Sequence, residues 1–222
     1  MRVGILGSGL MGAKLGTIFA RAGHRVTFSY AHSREKLNRI AREAGNNARA
    51  GTPREAADDA DAVLFAVHWS RVDDVLSQAD NLSGKVVVSC SLPMDLDNTK
   101  LMIGGDSSGA EKLAGMLPKS RIVAAFQTVP SEVLFDVFEA RHKTPRPSLV
   151  FCGDESKSKA TAAELIRDVG FDAVDAGPLR VSRYCEPFAL LIGQLAYEGK
   201  GGPELAYRFE RLRSEVIRTA HE

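Results

Sequence analysis

The sequence predicts an α/β fold: a doubly wound parallel sheet with a small C-terminal α/β extension that ends in helices. Three observations predict it. Apolar runs of strand length alternate with amphipathic helical segments along most of the chain. The first of these runs, Val3–Leu6, leads directly into a glycine-rich segment that opens a helix. The chain has 222 residues and is 44% hydrophobic, which is enough to bury one sizeable core.

Hydrophobic spacing and capping signals define the elements of the first portion. Apolar residues from Met11 to Ala22 recur at helical spacing behind the first strand, and Gly23 ends that helix. Thr52-Pro53-Arg54-Glu55 has the form of a capping box with proline at the first helical position. Ala62–Val67 is a continuous apolar run, as expected of a parallel strand covered on both faces. The other predicted elements are strands at Val26–Phe28, Val86–Ser89 and Ile122–Phe126, and helices at Arg34–Ala44 and Ser70–Ala79.

The same alternation continues toward the C-terminus. The predicted elements there are strands at Ser148–Cys152 and Phe171–Asp175 and helices at Ser156–Val169, Arg183–Tyr197 and Pro203–Ala220. No linker or internal repeat separates them from the preceding strands, so the spacing favours one compact unit. We divide it into a nucleotide-binding domain, residues 1–126, and a small portion packed on it, residues 127–222.

Composition and charge exclude several classes of protein. The chain has 29 basic and 28 acidic side chains, and a net charge of +1 argues against a nucleic-acid partner. The apolar runs are shorter than the roughly 20 residues of a membrane span, and glycines interrupt the first run as no secretory signal would allow. Three cysteines without a CxxC pair predict a reduced chain with neither disulfides nor a metal site. We therefore expect a cytoplasmic protein without a membrane partner.

The glycine-rich segment is the strongest local signal of a binding site. In Gly7-Ser8-Gly9-Leu10-Met11-Gly12, the three glycines permit in turn a tight turn, close approach of a pyrophosphate, and close packing of helix on strand. The helix that follows offers unpaired backbone N–H groups to phosphates. Because this segment joins a predicted strand to a predicted helix, it predicts a Rossmann-type dinucleotide site formed by Gly7, Ser8, Gly9, Leu10, Met11 and Gly12.

The residues after the second strand indicate which dinucleotide binds. An NAD site usually has an acidic residue there to hold the ribose hydroxyls. This chain has no carboxylate before Glu35 and instead offers hydrogen-bond donors suited to a 2′-phosphate: Ser29, His32, Ser33 and Arg34. Ser33 can also be a helix N-cap on a solvated loop, which is compatible with phosphate binding. The sequence therefore favours NADP(H) as the cofactor.

Several motifs occur in an order that resembles a known family. The most distinctive is Asp175-Ala176-Gly177-Pro178-Leu179, followed by Ser182-Arg183 and Glu186. The others are the glycine loop, Ser33-Arg34, Val67-His68-Trp69, Thr128-Val129-Pro130 and Cys152-Gly153-Asp154. Together, over about residues 2 to 200, they resemble the NADP oxidoreductases that use the deazaflavin coenzyme F420. The same fold forms the reductase domain of the STEAP ferric reductases.

This resemblance implies a set of binding residues and a reaction. Ser8, Ser33 and Arg34 would hold the 2′-phosphate. The adenosine and ribose would be lined by Ala66, Val67 and His68, the nicotinamide framed by Leu92, Pro93, Pro130, Gly177 and Pro178, and the acceptor contacted by Gln127, Val129 and Arg183. In the F420 enzymes hydride passes directly between two stacked rings, so the resemblance implies no catalytic side chain.

Three positions depart from the family pattern. Gln127 stands where F420 enzymes commonly have histidine, and Pro187 and Ala189 align with a serine and a threonine that face the deazaflavin. Polar contacts to the deazaflavin are therefore fewer, whereas Arg183 remains to attract an anionic acceptor. We expect an NADPH-dependent oxidoreductase whose small-molecule acceptor is F420, a flavin such as FMN, or a ferric chelate.

Two other functions and one assembly remain as hypotheses. A non-catalytic NADP(H) sensor would leave no room above the nicotinamide, whereas an enzyme needs an open cleft. A β-hydroxyacid or imine dehydrogenase shares the glycine loop but usually continues into a long all-helical domain, which the predicted strands after Ser148 disfavour. The two terminal helices carry more large apolar side chains than one sheet edge needs, so we expect a homodimer.

Overall fold

One eight-stranded sheet organises the protein in its computed structural model, which describes residues 1–45 and 47–212. The strands are β1 Arg2–Leu6, β2 Arg25–Ser29, β3 Ala48–Ala50, β4 Ala62–Phe65, β5 Val86–Ser89, β6 Arg121–Ala124, β7 Ser148–Gly153 and β8 Asp172–Asp175. The helices are α1 Leu10–Arg21, α2 Arg34–Ala44, α3 Pro53–Asp58, α4 Val72–Ala79, α5 Gly109–Met116, α6 Leu134–Glu139, α7 Ser156–Val169 and α8 Ser182–Gly193. The α/β fold class is confirmed.

The strand order is β3-β2-β1-β4-β5-β6-β7-β8. From β3 to β6 every neighbouring pair is parallel, and the order reverses direction between β1 and β4, which is where ligands bind in sheets of this kind. The predicted parallel sheet is wrong at one place, because β7 runs antiparallel to β6, with Cys152 opposite Ala124. The chain between them passes through α6 and returns in the opposite direction, and β8 then pairs parallel to β7.

Helices cover both faces of the sheet. In β4, Leu64 packs in a hydrophobic cluster with residues of α1 and α2, whereas Val63 and Phe65 pack with residues of α3, α4 and α5. All three side chains are fully buried, which explains why this strand is apolar at successive positions. None of the described helices has the length and apolar character that crossing a membrane requires.

Most elements lie where the sequence places them. The bounds of α2, α7 and β5 agree with the prediction residue for residue, and the capping box before α3 is present. The strand predicted at Ala62–Val67 ends at Phe65, and the helix predicted from Ser70 begins as a 3-10 turn at Trp69–Arg71. The sequence analysis missed β3, α5 and α6. Each is short, with three, eight and six residues, so none shows a full hydrophobic period.

The C-terminal segment differs most from its prediction. The predicted helix Pro203–Ala220 is wrong over residues 203–212, which are not helical, and its remainder lies outside the described residues. Tyr207 instead accepts a backbone hydrogen bond from Ser148 at 2.7 Å, and its ring packs between those of Phe188 and Phe209. These contacts hold the segment against the beginning of β7. The helix predicted at Arg183–Tyr197 is present as α8 followed by a π-helical turn, Gln194–Glu198.

We predict a homodimer built on the exposed face of α8 and the π-helical turn. Leu191, Leu195 and Tyr197 are 53%, 52% and 61% exposed there, and a second copy would remove this surface from water. Light scattering should give twice the mass of one chain, and Leu191→Glu with Leu195→Glu should give a single chain. A single-chain mass for the unmodified protein at every concentration would contradict the dimer.

Candidate functional site

A cavity of about 740 Å³ opens at the carboxyl ends of β1, β2 and β4. Its walls are formed by the glycine loop after β1, the segments that follow β2, β3 and β4, and one side of α4. Of the residues predicted to bind cofactor, it is lined by Gly7, Ser8, Gly9, His32, Ser33, Arg34, Ala66, Val67 and His68. The structure thus brings residues distant in sequence to the point where the strand order reverses.

Close packing fixes the glycine loop. Gly7 has φ +109°, and a Cβ there would lie 2.3 Å from the carbonyl oxygen of Ala66. A Cβ at Gly12 would lie 1.9 Å from the carbonyl oxygen of Gly7. Gly9 is the N-cap of α1, supplies no side-chain cap, and has open space where its Cβ would be. The first turn of α1 therefore offers uncapped N–H groups that fit a pyrophosphate.

The first two residues of α1 have different surroundings. Leu10 is 74% exposed, and Met11 packs partly against the hydrophobic cluster that includes α1. Neither lines the cavity. Leu10 and Met11 therefore belong to the glycine motif as the first residues of α1, and not as residues that line the cavity.

Basic side chains gather where α2 begins. Ser33 is the N-cap of α2 and accepts a hydrogen bond from the backbone N–H of Lys36 at 3.2 Å, so the N-cap interpretation is confirmed. Arg34, Lys36 and His32 line the same part of the cavity. These donors and the helix N-terminus suit a phosphate group.

Two predicted phosphate ligands have other partners. The Ser29 hydroxyl is fully buried and donates to the Ile5 carbonyl at 2.7 Å, away from the cavity wall. The Ser8 hydroxyl donates to the Ser29 carbonyl at 2.9 Å. These protons are therefore used to join the glycine loop to β2 and β2 to β1, which leaves Ser33 as the predicted hydroxyl at the basic end of the cavity.

Tyr30 and Asp74 are cavity residues that the sequence analysis missed. Tyr30 follows β2 with φ +57°, and its hydroxyl donates to the Asp74 carboxylate on α4. Burial, with that hydrogen bond second, raises the pKa of Tyr30 to about 12. The Tyr30 hydroxyl holds the pKa of Asp74 below its usual range. Local sequence patterns do not predict this pair, because the two residues are 44 positions apart and only the order of the strands brings them together.

Residues predicted for the nicotinamide follow β5 and β6 at the same edge of the sheet. Leu92 is partly exposed, whereas Pro93 is buried and lies against Gly109. The Gln127 side chain is 8% exposed and donates to the Ser91 carbonyl at 3.4 Å. Val129 is 4% exposed within the core and Pro130 is also buried. These residues form a packed wall at the ends of β5 and β6.

Gly177 and Pro178 lie elsewhere. The Gly177 carbonyl accepts a hydrogen bond from the N–H of Gly153, and Gly153 pairs with Val123 inside β6. Because β7 and β8 run opposite to β6, the residues after β8 are level with that strand and not beyond its carboxyl end. The register therefore does not support the expectation that this pair frames the nicotinamide.

Arg183 has a charged partner within the chain. Its Nε and Nη2 donate to the two carboxylate oxygens of Glu111 at 2.8 and 2.7 Å, in a bidentate ion pair. The Arg183 hydrogen bond lowers the pKa of Glu111, and Glu111 in turn raises the pKa of Arg183. An anionic acceptor would have to compete with Glu111 for this guanidinium.

Pro187 and Ala189 cannot face one acceptor together. They are two residues apart on α8, and side chains at that spacing point to different sides of a helix. Pro187 is exposed, whereas Ala189 is 6% exposed. The geometry therefore does not support the expectation that both positions contact one deazaflavin.

Glu186 caps a helix from inside the protein. Its carboxylate is 1% exposed and accepts hydrogen bonds from the backbone N–H groups of Gly109 and Ala110 at 2.9 and 3.0 Å. Burial outweighs these bonds and raises its pKa to about 7. Glu186 therefore joins α8 to the start of α5, as a structural contact.

Comparisons with known proteins agree with this architecture. The family model for NADP oxidoreductase, coenzyme F420-dependent, matches residues 2–93. The F420-dependent NADP reductase of Methanocaldococcus jannaschii is 30% identical over 156 residues, which is 67% of this chain and 68% of that protein. Metalloreductase STEAP3 of Rattus norvegicus is 29% identical over 189 residues, 85% of this chain, and this chain spans only 36% of that protein.

A solved structure extends the likeness to the whole described fold. It is a protein from Arthrobacter sp. FB24 proposed to be an F420-dependent NADP reductase. The TM-score is 0.83 at 22% identity, and the match covers 95% of this chain and 100% of the other. At this identity the likeness supports the fold, including the C-terminal strands and helices.

We predict that Glu186 makes stability depend on pH. Its pKa is raised from 4.5 to about 7, so the folded protein binds this proton more tightly than the unfolded chain, and stability falls as pH rises between those values. Across that range the loss is roughly 3 kcal/mol. We therefore compare the free energy of unfolding of Glu186→Gln with that of the unmodified protein, both measured in urea. Between pH 5 and pH 7.5 the difference should shift by about 2 kcal/mol in favour of Glu186→Gln.

Glu139→Gln is the matched control, because Glu139 is exposed and its substitution should leave the pH slope unchanged. Equal slopes for Glu186→Gln and the unmodified protein would show that the Glu186 carboxylate is ionised at no cost.

Proposed function

The chain belongs to the family of coenzyme F420-dependent NADP oxidoreductases, and we propose that it transfers hydride between NADP(H) and a planar redox acceptor. The observation that carries this is the pairing of an uncapped α1 N-terminus with a basic cluster at the N-terminus of α2 in one cavity. A dinucleotide needs the first for its pyrophosphate, and a 2′-phosphate needs the second. When bound, NADP(H) supplies a two-electron hydride donor or acceptor.

The chain's own residues have positioning roles in this proposal. Backbone groups of Gly7 to Gly9 and the first turn of α1 bind the pyrophosphate, and Ser33, Arg34 and Lys36 bind the 2′-phosphate. Ala66, Val67 and His68 line the ribose side. His68 is held by Ser70 at 2.9 Å and by the Asp95 carbonyl at 3.1 Å, so its ring orientation is fixed. Such fixed walls orient the ligand and exclude water without a catalytic side chain.

The acceptor binds beyond the ends of β5 and β6, against the packed wall that includes Pro93, Gln127 and Pro130. The Gln127 side chain already donates to a backbone carbonyl, so it offers little directional contact to an acceptor. Selection there depends on shape and stacking, which favours planar two-electron acceptors: F420 or a flavin such as FMN. A ferric chelate takes one electron per iron, so it would be reduced by the dihydroflavin, with two ferric ions reduced for each hydride. We give F420 no preference among the acceptors, because Gln127 occupies the position at which F420 enzymes commonly have histidine.

Of the other two hypotheses, the sheet topology disfavours the dehydrogenase. A β-hydroxyacid or imine dehydrogenase would continue into a long helical domain, whereas β7 and β8 here extend the same sheet. A sensor would need to transmit cofactor binding without turnover. Hydride transfer to any acceptor in the experiment below would exclude the sensor hypothesis, because a sensor has no turnover.

Anaerobic stopped-flow mixing of the NADPH-loaded protein with F420, FMN and ferric citrate tests the proposal. We expect NADPH oxidation with F420 and with FMN, and ferric citrate should be reduced only when FMN is also present, two ferric ions for each NADPH. A Glu111→Gln variant should lower the KM of the anionic acceptors F420 and FMN about two- to fivefold, because Arg183 loses its charged partner. An uncharged quinone is the control, and its KM should not change. Absence of NADPH oxidation with every acceptor would contradict the enzymatic proposal.

Arg34→Ala tests the choice of cofactor. A charge-assisted hydrogen bond to the 2′-phosphate is worth about 1.5–3 kcal/mol, so NADPH affinity should fall about 10- to 100-fold while NADH affinity stays nearly constant. Titration calorimetry measures both. Arg39→Ala is the matched control on the same helix, since Arg39 is 64% exposed, pairs with Glu43 and does not line the cavity. Equal losses for NADPH and NADH would contradict the role of Arg34.

A further inference from the structure

The cofactor cavity contains a carboxylate that phosphate binding does not explain. Among the cavity-lining residues in the described part of the chain, Asp74 is the acidic one. The basic ones are His32, Arg34, Lys36, His68 and Arg71. A negative charge in a cavity for an anionic dinucleotide lowers its affinity unless that charge meets a hydrogen-bond donor of the ligand.

Asp74 is held in place from two directions. One carboxylate oxygen accepts the Tyr30 hydroxyl, and the other accepts the Gln78 side-chain amide at 3.1 Å. Tyr30 comes from the end of β2 and Asp74 from α4, after β4. Because β1 lies between these strands, the Tyr30 side chain reaches across the carboxyl edge of the sheet. The backbone of Tyr30 also accepts the N–H of Ser8 at 3.0 Å, so the same residue supports the glycine loop.

This arrangement has a conformational cost. Tyr30 adopts φ +57°, a left-handed region that bulky side chains rarely enter because it strains the backbone. An ionised carboxylate can accept about four hydrogen bonds, and Tyr30 and Gln78 use two. Asp74 therefore faces the cavity with acceptor capacity left over.

The chemistry of the ligand narrows what Asp74 contacts. At the adenosine end of NADP(H), the hydrogen-bond donors are the ribose 3′-hydroxyl and the adenine amino group. Gln78 lies one helical turn beyond Asp74 and also lines the cavity, so α4 presents a carboxylate and an amide side by side. Adenine presents a donor next to an acceptor along its edge, which is the pattern that such polar side chains recognise.

We infer that Asp74, positioned by Tyr30, accepts a hydrogen bond from the adenine amino group and thereby selects adenine dinucleotides. This inference rests on the proposed function, since it assumes that NADP(H) binds in the cavity. It assigns α4 to base recognition and leaves the residues at the start of α2 to the 2′-phosphate.

The test compares the binding of NADPH with that of its hypoxanthine analogue, in which a carbonyl oxygen replaces the adenine amino group. Titration calorimetry without an acceptor gives both dissociation constants. The unmodified protein should bind the analogue about tenfold more weakly, because the carbonyl cannot donate to Asp74. Asp74→Asn should reduce this preference to about threefold or less, since an amide can donate to the carbonyl.

Asp73→Asn is the matched control, because Asp73 is the neighbouring exposed acid in the first turn of α4 and does not line the cavity. It should keep the full preference. Tyr30→Phe keeps the ring but removes the hydroxyl that holds Asp74, and it should lower the preference.

Equal binding of the two dinucleotides to the unmodified protein would overturn the inference, as would an unchanged preference in Asp74→Asn. Neither result would affect the proposed function, which requires NADPH to bind and transfer hydride but does not require its base to be recognised by Asp74. Failure of the unmodified protein to bind NADPH at all would overturn both.

Discussion

The first turn of α1 lies so close to β1 that a Cβ at residue 12 would come within 1.9 Å of the Gly7 carbonyl oxygen. This approach directs the uncapped end of α1 toward the cavity, and the positive φ of Gly7 lets the loop pass the Ala66 carbonyl. The Ser8 hydroxyl then joins the loop to β2, and the Ser29 hydroxyl joins β2 to β1. The position of the basic cluster relative to the α1 N-terminus depends on these contacts, because β1 and β2 carry the two groups.

The two ends of the site differ in how they use charge. At the adenosine end, basic side chains and Asp74 face a cavity large enough for a ligand. At the proposed acceptor end, two charged side chains of α8 are paired within the chain: Arg183 with Glu111, and Glu186 with backbone N–H groups. Under the proposed function, specific electrostatic recognition therefore falls mainly to the adenosine end, and shape and stacking to the acceptor end.

Much of the fold was predictable because its signals are local. The glycine loop, the capping box at Thr52 and the apolar run of β4 each carry their structure in a few neighbouring residues. The contact between Tyr30 and Asp74 was not predictable in this way, because it depends on β1 lying between β2 and β4. The antiparallel β7 was missed for the same reason: strand direction depends on the path of the preceding connection, which residue patterns do not specify.

At the proposed acceptor end, the resemblance to a family does not predict which way the side chains of α8 point. Aligning Pro187 and Ala189 with two deazaflavin-facing residues ignores the helical rotation between positions two apart, and burial puts Ala189 inside and Pro187 outside. Arg183 and Pro187, four apart, share a face instead. An acceptor that approached α8 would therefore meet a guanidinium whose charge is already paired with Glu111 and a proline ring that has no donor. In the proposed reaction, acceptor choice therefore depends mainly on shape and stacking at the wall after β5 and β6, and the paired Arg183 adds a weaker attraction for anionic acceptors.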